Sequence, residues 1–234
     1  MNKSKIIVIE GTDGSGKATQ TNLLMERLQK EGYKVFTTSF PKYDSDSSAL
    51  VKMYLNGRIT EDANGVSPKA ASVFYAADRY ITYKKEMEDK YNSGEYIMLF
   101  DRYSGSNIIH QGAKIVAGCE SDDKAKEELQ QFIKWLYDFE HKDLEIPAPD
   151  LVIYLNVPVE YTEKLREGRK NKSNGEEKQD VHESDRNHLR NASMAGLMAS
   201  DMLGWRVVEC VKDNQMRAIE DISKEVFDIV KDKI

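Results

Sequence analysis

The chain has 234 residues, of which 40% are apolar and 32% are charged, so its composition is that of a folded globular protein and excludes a disordered or fibrous chain. Its net charge of −6 argues against binding to nucleic acid, because proteins that bind a nucleic-acid backbone present basic surfaces. No apolar run approaches the length that crosses a membrane, and we expect no membrane partner.

Short runs rich in β-branched residues predict five strands, at 6–9, 35–38, 96–100, 151–155 and 206–210. Amphipathic stretches predict helices at roughly 17–31, 47–56, 68–91, 124–140, 159–168, 183–202 and 215–232. Apolar strands that alternate with helices are typical of a parallel sheet covered on both faces. We therefore predict one α/β domain over residues 1–234, with ligands at the carboxyl ends of the strands.

Two further features bear on dynamics and location. Residues 166–186 are polar and nearly free of large apolar side chains, which fits either a solvated loop or a mobile lid that closes over bound phosphates. The two cysteines, Cys119 and Cys210, lie far apart and show no metal-binding spacing. They predict free thiols in a reducing cytoplasm.

Residues 11–18, GTDGSGKA, nearly match the phosphate-binding pattern G-x-x-x-x-G-K-[ST]. They follow the first strand and open the first helix, which is the context that the pattern requires. Glycines let backbone N–H groups approach phosphate oxygens, and Lys17 supplies a positive charge for the β- and γ-phosphates. The residues predicted to bind the nucleotide are Gly11, Thr12, Asp13, Gly14, Ser15, Gly16, Lys17, Ala18 and Thr19.

The last position of the pattern departs from expectation, because Ala18 stands where a hydroxyl usually binds Mg²⁺. Magnesium keeps several waters and binds through phosphate oxygens and one or two carboxylates, so a water can take the place of the hydroxyl. Thr19 points about 100° away around the helix and is a poor substitute. We expect a changed metal shell and a working site.

Several stretches, taken in order and spacing, resemble the thymidylate kinase family. They are GTDGSGKATQ (11–20), SFPKYDS (39–45), FYAADRY (74–80), FDRYSGSNIIHQGAK (100–114), PAPDLVIYLNVP (147–158) and the polar lid. The resemblance implies a three-layer P-loop NTPase fold with a five-stranded parallel sheet. It also implies phosphorylation of dTMP with ATP and Mg²⁺, and a homodimer.

The resemblance also implies roles for individual residues. Asp13 accepts a hydrogen bond from the sugar 3′-hydroxyl, Tyr75 stacks on thymine, and Gln111 pairs with the thymine edge. The full substrate-binding set implied is Asp13, Phe40, Pro41, Tyr75, Arg79, Arg102, Ser106 and Gln111. Arg102 contacts the acceptor phosphate, and Asp101 lies near the waters of the metal. His110 stands where the family often has tyrosine, which leaves the discrimination of deoxyribose from ribose open.

The resemblance implies four catalytic residues, Lys17, Arg102, Arg166 and Arg169. In the family the arginine that stabilises the transition state comes from the glycine loop or from the lid. Gly14 has no side chain to offer, so Arg166 and Arg169 are the candidates, with Lys170, Lys172 and Arg186 as further possibilities. Near the acceptor phosphate, Lys42 stands where some members have arginine, and this contact is a lysine charge or is absent.

Two alternatives remain at this stage. One is another deoxynucleotide or deoxynucleoside kinase with the same loop and a different acceptor. The other is a nucleotide-binding switch without kinase activity, which Ala18 and the irregular lid favour. The absence of an N-K-x-D stretch argues against a GTPase.

Overall fold

The computed structural model describes residues 3–60, 65–166 and 186–234, with the backbone alone for 163–166. The main sheet has five parallel strands in the order β2-β3-β1-β4-β5. They are β1 (Lys5–Glu10), β2 (Lys34–Ser39), β3 (Tyr96–Asp101), β4 (Leu151–Asn156) and β5 (Arg206–Glu209). A short antiparallel hairpin follows, made of β6 (Val211–Lys212) and β7 (Gln215–Met216).

The helices are α1 (Lys17–Lys30), α2 (Ala49–Leu55), α3 (Pro68–Thr82), α4 (Glu88–Ser93), α5 (Ser104–Ala117), α6 (Asp122–Tyr137), α7 (Val159–Arg166), α8 (Arg186–Leu203) and α9 (Ile219–Lys231). A 3₁₀ turn (Asp46–Ser48) precedes α2, and π-helical turns continue α3 (Tyr83–Met87) and α6 (Asp138–Asp143). In the described parts of the chain, no helix combines the length and the apolar character needed to cross a membrane.

The sheet is buried on both faces, and alternate residues of β1 face opposite layers. Ile6 and Val8 belong to a core with side chains of α5, α6 and α8. Ile7 and Ile9 belong to a second core with side chains of α1 and α9. This three-layer arrangement confirms the predicted fold class, and its cause is the uniformly apolar sequence of the central strands.

The structure corrects the predicted elements at two places. The prediction contains no helix over 104–117, where α5 lies, because the first turn is Ser-Gly-Ser-Asn and Gly112 interrupts the apolar pattern. Ile108, Ile109 and Val116 nevertheless repeat at helical spacing and are buried. The last helix begins at Ile219 and not near 215, since β6 and β7 occupy the preceding residues.

The topology brings three candidate segments to one edge. Strand β1 lies between β3 and β4, and Ile9 of β1 pairs with Asp101 of β3 and with Ile153 of β4. The glycine loop after β1 therefore lies beside the turn that follows β3. This reversal of strand order beside β1 is where parallel sheets bind ligands.

Candidate active site

The glycine loop is a tight turn between the end of β1 and the start of α1. Gly14 and Gly16 have φ angles of 88° and 86°, which side chains other than glycine rarely tolerate. Gly11 is required by space, because a Cβ atom there would lie 2.5 Å from Ser15 Oγ. A hydrogen bond of 3.2 Å from Ser15 N–H to the Thr12 carbonyl closes the turn. The loop keeps this shape only with glycine at these positions.

The amino end of α1 presents backbone donors to this loop. The first hydrogen bond of the helix runs from Gln20 N–H to the Gly16 carbonyl over 3.0 Å, so the N–H groups of residues 17–19 have no acceptor within the helix. The first turn contains no acidic residue. The hydroxyls of Thr12 and Ser15 are buried without a hydrogen-bond partner among the described residues. These donors and the helix dipole together suit a phosphate group.

The side chain of Lys17 is buried against the glycine loop and binds its backbone. Its Nζ donates to the carbonyls of Gly11 at 3.0 Å and Thr12 at 2.7 Å. The pKa of Lys17 is lowered to about 8, chiefly by burial and then by the nearby charge of Arg102, against the opposing effect of neighbouring carboxylates. An anion near Lys17 would offset the free-energy cost of burying its charge and would raise its pKa again.

Ala18 and Thr19 both lie exposed on the first turn of α1. Ala18 has a methyl side chain and no oxygen that could bind a metal ion. Thr19 follows it on the helix surface, rotated by one residue. The chemistry of a metal at this loop therefore depends on other oxygen donors.

Asp101 ends β3 next to the loop and supplies such a donor. Its Oδ1 atom is buried and has no hydrogen-bond partner among the described residues. Those residues contain no group of three or more histidine, cysteine or acidic side chains that could hold a metal by themselves. A single inward carboxylate fits Mg²⁺, because this ion binds nucleotides through phosphate oxygens and water and needs few protein ligands.

Arg102 and Asp13 form an ion pair that joins the turn after β3 to the glycine loop. Arg102 has a φ angle of 72°, and its N–H donates to the Ile9 carbonyl at 3.1 Å. Its Nη1 lies 3.0 Å from Nε2 of His110, which accepts because arginine only donates. Burial alone would lower the pKa of Arg102, but neighbouring carboxylates, Asp13 foremost, outweigh it and raise the pKa.

Tyr75 and Arg79 lie four residues apart on α3, as predicted. Tyr75 is half-buried and contacts the ring of Tyr54 edge-on, with centroids 6.4 Å apart. Arg79 is 2% exposed and is bound by the carboxylate of Glu140 through hydrogen bonds of 2.7 and 2.6 Å. A third N–H of Arg79 donates to the Tyr103 carbonyl at 3.3 Å, which leaves two N–H groups for other partners. The contact of Arg79 with substrate stays a prediction.

Gln111 and Ser106 lie on α5 in different surroundings. Gln111 is fully buried, and neither its Oε1 nor its Nε2 has a hydrogen-bond partner among the described residues. A buried amide with two unpaired ends is costly unless a ligand satisfies it. The Ser106 hydroxyl instead lies 2.7 Å from Glu10 Oε2 and 3.4 Å from Arg102 Nη1. These contacts place it between Glu10 and Arg102.

The segment after β2 contains Phe40 and Pro41, whose predicted contact with substrate stays a prediction. Phe40 is buried and packs against Phe100 and Tyr103, with ring centroids 6.0 and 5.7 Å away. The peptide bond between Phe40 and Pro41 is cis. The backbone N–H of Lys42 donates to Asp78 at 2.9 Å, and its ammonium forms an ion pair with Glu86. This pairing favours the interpretation in which Lys42 makes no contact with the acceptor phosphate.

The predicted lid falls almost entirely outside the described residues. The structure describes neither the side chain of Arg166 nor any part of Arg169. The catalytic roles predicted for these two arginines stay predictions.

Two buried acids at the site were not identified from the sequence. Glu10 is fully buried between β1 and α5, and Glu140 is fully buried against Arg79. The signal for Glu10 was present, because a carboxylate at the end of an apolar strand needs a partner. Glu140 gave no such signal, since it lies in a polar stretch, EHKD, that reads as a helix surface.

Comparison with known proteins identifies the family of this chain. The model of the thymidylate kinase family matches residues 9–196, a range that includes the glycine loop, Arg79, Arg102 and Gln111. The chain belongs to the thymidylate kinase family. The members of this family are transferases that phosphorylate dTMP to dTDP with ATP.

Individual thymidylate kinases match along nearly the whole chain. The probable thymidylate kinase of Pyrococcus horikoshii is 30% identical over 228 residues, which cover 97% of this chain and 96% of that protein. The thymidylate kinase of Prochlorococcus marinus strain NATL2A is 27% identical over 236 residues, which cover 99% of this chain and all of that protein. The solved thymidylate kinase of Candida albicans superposes with a TM-score of 0.69 and 23% identity, covering 98% of this chain and 92% of that one, and supports the same fold.

Proposed function

We propose that this chain transfers the γ-phosphate of ATP to dTMP at the edge formed by the glycine loop and the turn after β3. The observation on which this proposal rests is the ion pair between Asp13 and Arg102. It links the phosphate-binding loop directly to the element that continues into α5 and the buried Gln111. A donor phosphate on the loop and an acceptor phosphate on Arg102 would therefore meet.

The ATP side of the proposal is supported by the donors of the loop. The backbone N–H groups of residues 17–19 lie at the start of α1, and the ammonium of Lys17 lies against the carbonyls of the same loop. Binding of the β- and γ-phosphates would draw Lys17 away from the loop carbonyls and restore its full charge. This interaction strengthens as negative charge spreads over the transferring oxygens, and Lys17 thereby stabilises the transition state.

The dTMP side is supported by Gln111, Tyr75 and Arg102. The thymine edge offers a donor and an acceptor, which match the unpaired oxygen and nitrogen of the Gln111 amide. Tyr75 offers a ring face for stacking. The acceptor phosphate takes the guanidinium of Arg102 in place of Asp13, which then becomes able to accept from the sugar 3′-hydroxyl.

The reaction needs positioning and charge neutralisation and no covalent intermediate. A phosphate oxygen of dTMP is the nucleophile, the γ-phosphorus of ATP accepts it, and the bond from that phosphorus to the β,γ-bridging oxygen breaks to leave ADP. Mg²⁺, when bound with ATP, neutralises charge on the phosphates, and Asp101 would hold its water ligands. We assign to Arg166 and Arg169 the remaining stabilisation of the transferring oxygens and the exclusion of water.

We also propose that the enzyme works as a homodimer in the cytoplasm. Helices α2 and α3 pack together and expose four large apolar side chains, Leu50, Met53, Val73 and Tyr80. Their exposed fractions, all between 40% and 43%, are high for such side chains.

Light scattering should give twice the chain mass for the wild type and the monomer mass for Val73→Lys. Met194→Lys changes a similarly exposed residue on α8 and should remain dimeric.

Initial rates with ATP and dTMP varied separately test the assignment of the two phosphate sites. Arg102→Lys should raise the KM for dTMP more than the KM for ATP, because lysine cannot reproduce the bidentate contact of arginine with phosphate. Lys17→Met should lose most turnover. Normal turnover in Lys17→Met, or equal effects of Arg102→Lys on both substrates, would contradict the assignment.

A further inference from the structure

Glu10 is a fully buried carboxylate that has no place in the nucleotide contacts proposed above. It ends β1, one residue before the glycine loop, and its side chain points across to the start of α5. A Cβ atom on Gly105 would lie 3.0 Å from its Oε1, which is tighter than ordinary packing, so glycine at this position favours the close approach of the helix to Glu10. Burying a carboxylate away from water costs free energy unless hydrogen bonds compensate it, and the contacts of Glu10 indicate its role.

The two oxygens of Glu10 bind two different parts of the turn that carries Arg102. Oε1 accepts a hydrogen bond of 2.8 Å from the backbone N–H of Tyr103. Oε2 accepts a hydrogen bond of 2.7 Å from the hydroxyl of Ser106. Arg102 lies outside hydrogen-bond distance of both oxygens, so apart from the electrostatic interaction between the two groups, Glu10 influences it only through these contacts.

The first contact fixes the backbone of Arg102. This residue has a left-handed φ of 72°, a conformation that arginine adopts only when its surroundings hold it. Its own N–H is bound to the Ile9 carbonyl at 3.1 Å, and the next N–H along the chain, that of Tyr103, is bound to Glu10. Strand β1 thus anchors the N–H groups on both sides of the Arg102 Cα atom.

The second contact sets the direction of a hydroxyl proton. The Ser106 hydroxyl donates its proton to Glu10 Oε2 and therefore turns its lone pairs outward. Arg102 Nη1 lies 3.4 Å from the Ser106 oxygen, on the side of these lone pairs. If position 10 donated to Ser106 instead, the hydroxyl proton would turn toward a guanidinium that can only donate.

We propose that Glu10 is a positioning residue for phosphoryl transfer, which orients Arg102 toward the acceptor phosphate through the Tyr103 N–H and the Ser106 hydroxyl. This inference rests on the proposed role of Arg102 in binding the phosphate of dTMP. When that phosphate replaces Asp13, the Glu10–Ser106 contact remains and keeps the guanidinium in its orientation. Burial raises the pKa of Glu10, and the Ser106 hydrogen bond and the charge of Arg102 oppose that rise.

The test is a set of steady-state kinetic measurements on the full-length enzyme. The variants are Glu10→Gln, Ser106→Ala, their double variant and Ser104→Ala. Glu10→Gln keeps the acceptor for Tyr103 N–H and reverses the hydrogen bond to Ser106. We expect Glu10→Gln and Ser106→Ala each to raise the KM for dTMP by about tenfold, with the KM for ATP within about twofold of wild type. The double variant should be no worse than Glu10→Gln alone, because both changes break one path.

Ser104→Ala is the matched control. It removes a buried hydroxyl from the same turn of α5, but Ser104 contacts His141 at 3.2 Å and neither Glu10 nor Arg102. Its KM for dTMP should be unchanged. A wild-type KM for dTMP in both Glu10→Gln and Ser106→Ala would overturn the proposal. So would additive effects in the double variant, or an equal rise in the KM for ATP.

The same substitutions in the Arg102→Lys background separate this inference from the function on which it rests. If Glu10 acts through the arginine, Glu10→Gln should raise the KM for dTMP at most about twofold further in that background. A full tenfold effect there would overturn the positioning role alone. If Arg102→Lys itself binds dTMP normally, the assignment of the acceptor phosphate to Arg102 fails, whatever Glu10 does.

Discussion

Glu140 holds Arg79 by two hydrogen bonds of 2.7 and 2.6 Å, and both side chains are almost completely shielded from solvent. The pair ties α3 to the π-helical turn after α6, and Asn107 of α5 joins it at 3.1 Å from Glu140 Oε1. An ion pair in this position fixes the plane of the guanidinium. Arg79 therefore has a structural task as well as the proposed contact with substrate.

Truncation of Arg79 should destabilise the protein strongly. Arg79→Ala leaves the Glu140 charge buried without a counter-charge and with only the Asn107 amide as a partner, which costs about 3–5 kcal/mol and lowers the Tm by on the order of 10 °C. The double variant Arg79→Met with Glu140→Leu removes both charges and should recover most of that loss in a thermal melt. Equal Tm values for the single and double variants would contradict this account, because they would show that the uncompensated Glu140 charge is not the cause of the loss.

Substitution of Gln111 should lower activity without lowering stability. Gln111→Met removes a buried amide whose two ends lack partners, so the Tm should stay the same or rise, while the KM for dTMP rises by about tenfold or more. Asn107→Leu is the control, since its amide donates to Glu140 and its loss should lower the Tm. A normal KM for dTMP in Gln111→Met would remove Gln111 from the base pocket.

The metal shell at Ala18 can be tested by restoring the hydroxyl. Ala18→Ser should keep activity and lower the Mg²⁺ concentration needed for half-maximal rate, because serine adds one oxygen ligand beside the phosphates. Thr19→Ala is the control and should leave the Mg²⁺ dependence unchanged, as Thr19 points away along the exposed helix surface. Loss of activity in Ala18→Ser would mean that the loop does not approach the metal as proposed.

Lys17 makes nucleotide binding depend on pH. The unfolded chain keeps the Lys17 proton up to pH about 10.5, whereas the folded protein releases it near its lowered pKa of about 8. The contribution of this group to the free energy of unfolding therefore rises with pH across that window. Phosphates favour the charged form, so ATP binding at pH about 8 should take up roughly half a proton per site.

Calorimetry in buffers of different ionisation enthalpy measures that proton uptake directly. The Lys17→Arg variant keeps its charge throughout this range and should bind ATP without uptake at this group. Release of protons by the wild type, or the same uptake in Lys17→Arg, would contradict the lowered pKa of Lys17.

The sequence predicted the sheet and the glycine loop because both depend on local patterns. Uniformly apolar strands such as IIVI and LVIYL predict burial on both faces of a sheet without any knowledge of their neighbours. The glycines of residues 11–16 are required by the backbone geometry of the loop. It did not reveal the partners of Arg79 and Ser106. Glu140 is 61 residues from Arg79 and Glu10 is 96 residues from Ser106, so only the packing of α3, α5 and β1 brings them together.

The most direct test of the whole account is the rate of ADP release from ATP, measured with dTMP, dUMP, CMP and thymidine in turn. We predict that release depends strictly on a monophosphate, is fastest with dTMP, and falls to a small residue in Lys17→Met. Steady ADP release without any monophosphate, or a preference for thymidine over dTMP, would contradict the proposed transfer between two phosphates at the edge of β1 and β3.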